Sequence, residues 1–435
     1  MTDRFDVVVV GAGSAGCVLA DALTRGGTRT VLLLEQGPGW PDDAVRSLRR
    51  LPIGSGEPHA TPVPEASGLP VVRGRGLGGS SAVNGAYFLR RHRDDFDDWP
   101  AGWDLDTVEA AYAELDGPHG RMSASPFGDD ELGDTAIAFE SFWRTRIPVR
   151  PPGDRWPIVG LNRVVSNRRD GLRVTSAEAF LRPAIGRPGL TVRTGVAVGE
   201  VLVVDGRVTG VRTASGDIAC GEVILCAGTL GTAGILLRSG GLSVPRTLGV
   251  GEHREVLVGY RRRQETSAAD LPALLQSVVH TESGVEIRCY SDDFGRYIGG
   301  VSGRRPVIGV CGMRPAGTGQ VFLDGTGEVR LHLDDPEHGV LQTLSAIADD
   351  VRDMLASSEF AGIVESGSIM IDPTVGTSQH AWGTMPMGVA TDGAGVVDGV
   401  RGLRIVDGSI LPGDGRSGPH ATTMMVAYRV GETLA

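Results

Sequence analysis

Gly11-Ala12-Gly13-Ser14-Ala15-Gly16 is the first segment whose residue types and spacing could do chemistry. Glycines at these intervals let a tight turn close and let backbone N–H groups approach a pyrophosphate, whose charge a following helix N-terminus favours. The context fits. An apolar, strand-length run over residues 5–10 precedes the motif, a helical pattern follows over 14–27, and Glu35 ends the next apolar run, nineteen residues past Gly16. A carboxylate at that place can accept hydrogen bonds from ribose hydroxyls. The motif indicates a dinucleotide without choosing between NAD and FAD. A second glycine block, Gly78-Gly79-Ser80-Ser81, presents consecutive small residues whose amides can form an anion-binding concavity. A flavin needs protein around both its diphosphate and its isoalloxazine, so FAD would call for such a second loop. Taken alone, the block is also compatible with a flexible turn.

The elements that must position these segments alternate in texture. Residues 5–10, 14–27 and 30–34 read as a β-α-β unit whose strands are apolar on both faces, the pattern of a parallel sheet covered by helices. Residues 36–73, rich in Pro, Gly and Arg, read as a surface excursion. Residues 104–115 read as a helix with Asp106 as N-cap, and 117–160 show no clear pattern. A short helix over 176–181 ends at Pro183. Strands follow at 190–194, 198–204, 208–214 and 222–226, with a hairpin turn at Asp205-Gly206 and a helix over 230–238. Residues 241–375 differ: strand-like runs at 285–290, 307–310, 320–323 and 328–333 and a long helical pattern over 341–357 predict an antiparallel sheet with a helix. The chain closes with a strand at 404–406 and a helix over 422–433. No internal repeat is visible.

Composition narrows the classes. Of 435 residues, 41% are hydrophobic and 22% charged, which excludes wholesale disorder. Glycine is in surplus, at 65 residues without a three-residue period, as expected where many turns and ligand approaches are needed. A net charge of −11 argues against a nucleic-acid partner. Five cysteines (Cys17, Cys220, Cys226, Cys289 and Cys311) with no paired or metal-ligand spacing read as free buried thiols. No run of about eighteen apolar residues predicts a membrane span. The N-terminus lacks the layout of a signal peptide, so a cytoplasmic location is expected. His332 and His338 flank a turn sequence, Asp-Pro-Glu, and read as an exposed loop rather than a metal site.

Five ordered segments carry a resemblance. Gly74-Arg75-x-Leu77-Gly78-Gly79-Ser80-Ser81-x-Val83-Asn84 is similar to the first signature of the glucose–methanol–choline (GMC) oxidoreductases, flavoenzymes that oxidise alcohols. Asp97-Asp98-Trp99 with Gly102-Trp103 resembles the segment that commonly follows it. Residues 226–240 resemble the second signature, with Ala233 where the family usually has Pro. His380-Ala381-Trp382-Gly383-Thr384 resembles the His-x-x-Gly-Thr block. Val406-Asp407-Gly408-Ser409 and then Gly418-Pro419-His420-Ala421-Thr422 resemble the closing flavin and active-site segment.

The resemblance implies an α/β fold, α+β overall: a Rossmann-like FAD-binding domain (1–85, 160–245 and 375–435) interwoven with a smaller antiparallel-sheet-plus-helix substrate domain (86–159 and 246–374). It implies FAD held by Gly11, Gly13, Ser14, Ala15, Gly16, Glu35, Gly78, Gly79, Ser80, Ser81, Asn84, Val196, Ala227, Gly228, Asp407, Gly408, His420, Ala421 and Thr422. Of nine histidines only His380 and His420 fall in the C-terminal blocks, and the family places a His at the first position and His or Asn at the second. Imidazole, with an ordinary pKa near 6.5, suits the proton transfer of alcohol oxidation. Some members tether FAD through a His where this chain has Val83, so non-covalent FAD is expected. The short substrate domain and Gly-Pro-His-Ala-Thr look most like the mycofactocin-associated branch. That branch implies a peptide-derived redox cofactor, mycofactocinol, as the alcohol-type substrate and a quinone or respiratory-chain component as acceptor. The rival readings are an ordinary small-alcohol or polyol dehydrogenase or oxidase, and a protein of this fold that holds FAD without net redox chemistry. Trp382, Pro386, Pro419 and Ala421 stand beside the two histidines in sequence, none cationic, which favours a dehydrogenase over an oxidase.

Overall fold

The computed structural model describes residues 5–301 and 305–435. Residues 1–4, part of the stretch that lacks a targeting pattern, lie outside the described residues. Phe5–Val10 and Val31–Glu35 form adjacent parallel strands, with Leu190–Thr194 beyond the second and Gly216–Leu225 beyond the first. Leu403–Ile405 adds in parallel outside Gly216–Leu225. The first half of Gly216–Leu225 turns out of the parallel core and joins an antiparallel meander, Val198–Val204 and Arg207–Thr213, which completes a seven-stranded sheet. Val8, Val9, Leu32 and Leu33 are fully buried, and burying each contributes about 1.5–3 kcal/mol. Continuous apolar runs are what a sheet covered on both faces demands. All five parallel strands end on one edge, so the segments after Val10, Glu35, Thr194, Leu225 and Ile405 converge there. That edge is where open α/β sheets bind ligands.

The second sheet has eight strands, all antiparallel, in the order Met370–Ile371, Thr247–Gly259, Val307–Leu323, Val285–Tyr290, Leu275–His280, Gly160–Arg163, with Val329–Leu333 and Gly376–Thr377 added at its side. The His338–Leu355 helix packs on it through Leu344, Ala348, Val351 and Leu355, one stripe at helical spacing. Gly160–Arg163, which the sequence groups with the cofactor side, pairs with Leu275–His280 in this second sheet.

Several sequence expectations are corrected. Asp104, not Asp106, caps the Leu105–Asp116 helix, its carboxylate accepting from the Thr107 N–H at 2.9 Å. Pro183 does not end the helical segment: it sits in the first turn of a further short helix, Arg182–Ala184, where a missing N–H costs nothing. The excursion at 36–73 contains a hairpin, Ala60–Val63 with Val71–Gly74. Patternless 117–160 contains the Asp134–Trp143 helix, hidden because its exposed face carries the apolar Ile137 while its buried face includes the charged Glu140. The runs at 307–310 and 320–323 belong to one strand, Val307–Leu323, whose glycine-rich middle pairs with Thr247–Gly259 on both sides of a register irregularity opposite His253. Thr247–Gly259 and Leu275–His280 were not anticipated. His332 lies in a strand and His338 opens a helix, so they do not share a loop, though both are exposed. All five cysteines are buried and unpaired. Among the described residues, no helix is long and apolar enough to cross a membrane.

Candidate active site

The two glycine blocks, more than sixty residues apart in sequence, touch at the carboxyl edge of the parallel sheet. The Gly78 N–H donates to Ala12 O at 2.8 Å. Gly79 has φ +50°, and a Cβ built on it would stand 2.7 Å from Gly13 Cα. Only glycine permits that approach. Glu35, at the end of its strand, ties the blocks together. Its Oε2 accepts from the Ala12 N–H at 2.9 Å, and its Oε1 from the N–H groups of Gly37 at 2.7 Å and Gly76 at 2.8 Å. A carboxylate offers about four acceptor positions, so one remains for a ribose hydroxyl. Beyond Glu35 an open cleft of about 370 Å³ is lined by Gln36, Pro38, Pro58, Arg75, Thr194 and Gly195. Val196, the residue after Gly195, donates its N–H to Glu35 O at 2.9 Å.

The other expected cofactor residues fall on the same edge, some with their side chains already committed. Ser14, Ala15 and Gly16 form the first turn of the Ser14–Arg25 helix. Ser80 Oγ accepts from the Gly74 N–H. Ser81 is turned inward, fully buried, donating to Gly78 O at 2.6 Å and lying 3.1 Å from Ser176 Oγ, so its hydroxyl does not face a ligand. Asn84 accepts from the Ala86 N–H through its side chain. Ala227 and Gly228 open the Gly228–Arg238 helix two residues before the expected start. Asp407 accepts from Thr232 Oγ1 at 2.6 Å and from the Ser409 N–H at 2.8 Å, and burial raises its carboxyl above the usual range. Gly408 packs against Thr229. Ala421 is buried in the first turn of the Pro419–Leu434 helix, and Thr422 Oγ1 lies 2.9 Å from Tyr112 Oη.

That helix starts earlier than expected, which puts His420 in its first turn. His420 Nδ1 is 3.2 Å from Ser14 Oγ, so the N-terminus of the closing helix meets that of the first. His420 Nε2 is buried with no hydrogen-bond partner among the described residues. Burial lowers the imidazole to about 4. His380 approaches from the other side. A Cβ on Gly418, the N-cap of the same helix, would stand 3.0 Å from His380 Nε2. Glycine there leaves this nitrogen open. Burial, helped by the Arg288 guanidinium, holds His380 well below the ordinary imidazole range. Both imidazoles are therefore neutral, and one carries an unsatisfied nitrogen: the residues of this edge fit a planar polar cofactor and a reactant with a hydroxyl.

Sequence reasoning missed four participants. His253, fully buried on Thr247–Gly259, places Nδ1 2.8 Å from His380 Nδ1. Glu252 beside it accepts, at one oxygen, the backbone N–H groups of His253 (2.9 Å) and His380 (2.7 Å), and its other oxygen is 3.7 Å from the Arg73 guanidinium. Arg288 donates to Ser378 Oγ at 3.1 Å, two residues before His380. The sequence neighbours of the two histidines carry no cation, but the fold brings two from elsewhere in the chain: Arg288 and Arg73 both oppose protonation of His380. Each is countered by buried carboxylates, Arg73 by Glu252, and Arg288 by Glu286 at 2.8 Å and Glu255 at 3.6 Å. The one signal in the sequence was the polar run Glu252-His253-Arg254-Glu255 inside a strand-like stretch.

Two family models, both of GMC oxidoreductases, match residues 5–253 and 315–427. The chain belongs to the GMC oxidoreductase family. It is 32% identical to an uncharacterised GMC-type oxidoreductase of Rhodococcus erythropolis, over 99% of this chain and 98% of that one. It is 27% identical to pyridoxine 4-oxidase of Microbacterium luteolum, over 98% of each. A crystal structure of pyridoxine 4-oxidase from Mesorbium loti shares the fold with a TM-score of 0.85 at 23% identity, covering 99% of both chains. FAD is the cofactor of this family, and the touching glycine blocks, the open cleft and the unsatisfied His420 nitrogen fit it.

Proposed function

We propose that the protein is an FAD-dependent alcohol dehydrogenase in which His380 takes the hydroxyl proton at Nε2. The observation that carries the reading is the meeting of two neutral imidazoles, His380 and His420, at the glycine cradle. Bound FAD supplies the hydride acceptor for the carbinol carbon. The turn at Gly11–Gly16 would hold the diphosphate against the first helix N-terminus. The cleft beside Glu35 and Val196 would take the adenosine end. Gly78, Gly79, Ser80, Asn84, Ala227, Gly228, Asp407, Gly408, Ala421 and Thr422 would surround the flavin end, chiefly through backbone groups, since several of their side chains are bonded elsewhere. His420 Nε2 orients the substrate hydroxyl toward His380. The pyridoxine 4-oxidases named above support an alcohol substrate, and the Gly418-Pro419-His420-Ala421-Thr422 segment supports mycofactocinol as the finer candidate.

Val83, buried beside the cradle, has no nucleophilic atom, so FAD is held without a covalent bond. Acid precipitation of the yellow protein is expected to leave the flavin in the supernatant. Yellow colour in the pellet would mean attachment elsewhere.

The acceptor follows from charge. Reduction of oxygen at a flavin is helped by a fixed positive charge, and here both nearby guanidiniums are matched by buried carboxylates. The substrate-reduced enzyme is expected to reoxidise slowly in air-saturated buffer and quickly with a quinone dye, the order expected if a quinone or respiratory-chain component is the acceptor. Stopped-flow reoxidation checks this; hydrogen peroxide formed in step with turnover would make it an oxidase.

A further inference from the structure

We propose that His253 is a positioning residue that fixes the tautomer of His380 and so leaves the lone pair of His380 at Nε2. The inference rests on the reading of His380 as the base but concerns a proton that can be located independently. It follows from the donor inventory. His253 Nε2 lies 2.6 Å from the carbonyl oxygen of Gly415. A carbonyl only accepts, so Nε2 carries a hydrogen. His253 is neutral, lowered to about 3 by burial and by the Arg288 charge, and a neutral imidazole has one N–H. Its Nδ1 therefore bears a lone pair. His380 Nδ1, 2.8 Å away, must donate to it. His380 has then spent its one N–H, and Nε2, the nitrogen beside Gly418, is bare. The hydrogen-bond chain runs Gly415 C=O, His253, His380, and its polarity is set by the carbonyl.

The backbone is shaped for this contact. The ladder between Thr247–Gly259 and Val307–Leu323 breaks at His253: Glu252 pairs with Gly317 but Arg254 pairs with Gly312. Irregularities of this kind re-aim a side chain next to active sites. The two rings meet edge-on, with centroids 5.1 Å apart and planes at 89°, so the nitrogen of one faces the nitrogen of the other. Glu252 Oε1 pins both backbones at once. A histidine serving only to fill space would need neither the register break nor the paired ring nitrogens.

The test uses the FAD-loaded protein labelled with 15N-histidine. In the wild type, His380 is expected to show a protonated Nδ1 and a bare, pyridine-type Nε2, assigned by the signals that vanish in His380→Asn. His253→Phe removes the acceptor and should move the His380 proton to Nε2. His253→Gln, whose amide offers both an acceptor and a donor, should keep the wild-type pattern. With the alcohol that bleaches the wild-type flavin, His253→Phe should reduce it about 100-fold more slowly and His253→Gln less than tenfold, below the ~10⁴-fold loss known for a wrong tautomer in a serine-protease triad. A protonated Nε2 in the wild type, or an unchanged His380 tautomer in a folded, FAD-loaded His253→Phe, would overturn the proposal. Full-rate bleaching by His380→Ala would instead overturn the base assignment and leave the tautomer result standing.

Discussion

His380→Ala is expected to slow flavin reduction by substrate at least ~100-fold, the low end for a lost general base, while FAD stays bound. The side chain reaches the reacting region only through Nε2; its other nitrogen is taken by His253 and its backbone N–H by Glu252. Removing the ring therefore removes a proton acceptor and leaves the glycine cradle intact. His420→Ala should cost less, and His420→Asn should retain part of the rate, because an amide can still orient a hydroxyl. If His420 proves the more damaging position, the two roles are exchanged. The pH profile has a definite sign. A base must be unprotonated to act, and burial with the Arg288 charge disfavours its protonated form. The rate should thus stay level as pH falls from 8 through the ordinary imidazole value near 6.5 and decline only in more acidic solution. A fall centred near 6.5 would mean that His380 titrates like a solvent-exposed imidazole.

Glu35→Ala should release FAD and destabilise the fold together. Three buried backbone donors, on Ala12, Gly37 and Gly76, end on this carboxylate. Each donor left without an acceptor costs about 1–3 kcal/mol, so the sum rivals the 5–15 kcal/mol stability of a typical domain. The three amides belong to the first glycine turn, the cleft and the second glycine segment, so losing their common acceptor lets the two halves of the cradle part. Glu35→Gln keeps an oxygen for one side and presents an NH₂ group to the other, and should be intermediate. The FAD-to-protein absorbance ratio after gel filtration and the thermal midpoint measure both effects. Unchanged occupancy and midpoint would show that the cradle is held by other contacts.

The cradle was legible because its constraints are local. Gly11, Gly13 and Gly16 follow an apolar strand and open a helix, and only a turn that brings backbone to a ligand explains them together; Glu35 followed from the spacing of a β-α-β unit. What the carboxylate does was half legible: its place was right, but its bonds to three backbone amides depend on Gly76, forty-one residues away. His380 and His420 stood out only through resemblance, since an isolated histidine carries no periodic signal. His253 was hidden for the same reason, and because its partners, Gly415 and His380, lie more than a hundred residues further on. The second sheet was seen as scattered strands. Its longest members, Thr247–Gly259 and Val307–Leu323, are rich in glycine, and the first also buries Glu252, Arg254 and Glu255, so neither alternation nor hydrophobicity marks them.

Anaerobic stopped-flow spectroscopy of the FAD-loaded protein, mixed with a panel of alcohols that includes pyridoxine, polyols and mycofactocinol, tests the central claim most directly. An FAD-dependent alcohol dehydrogenase should lose its flavin absorbance near 450 nm with at least one of them, in a single turnover that His380→Ala slows at least ~100-fold. Flavin that remains oxidised with every alcohol, yet bleaches with a chemical reductant, would show that FAD is held here without alcohol oxidation and would contradict the account.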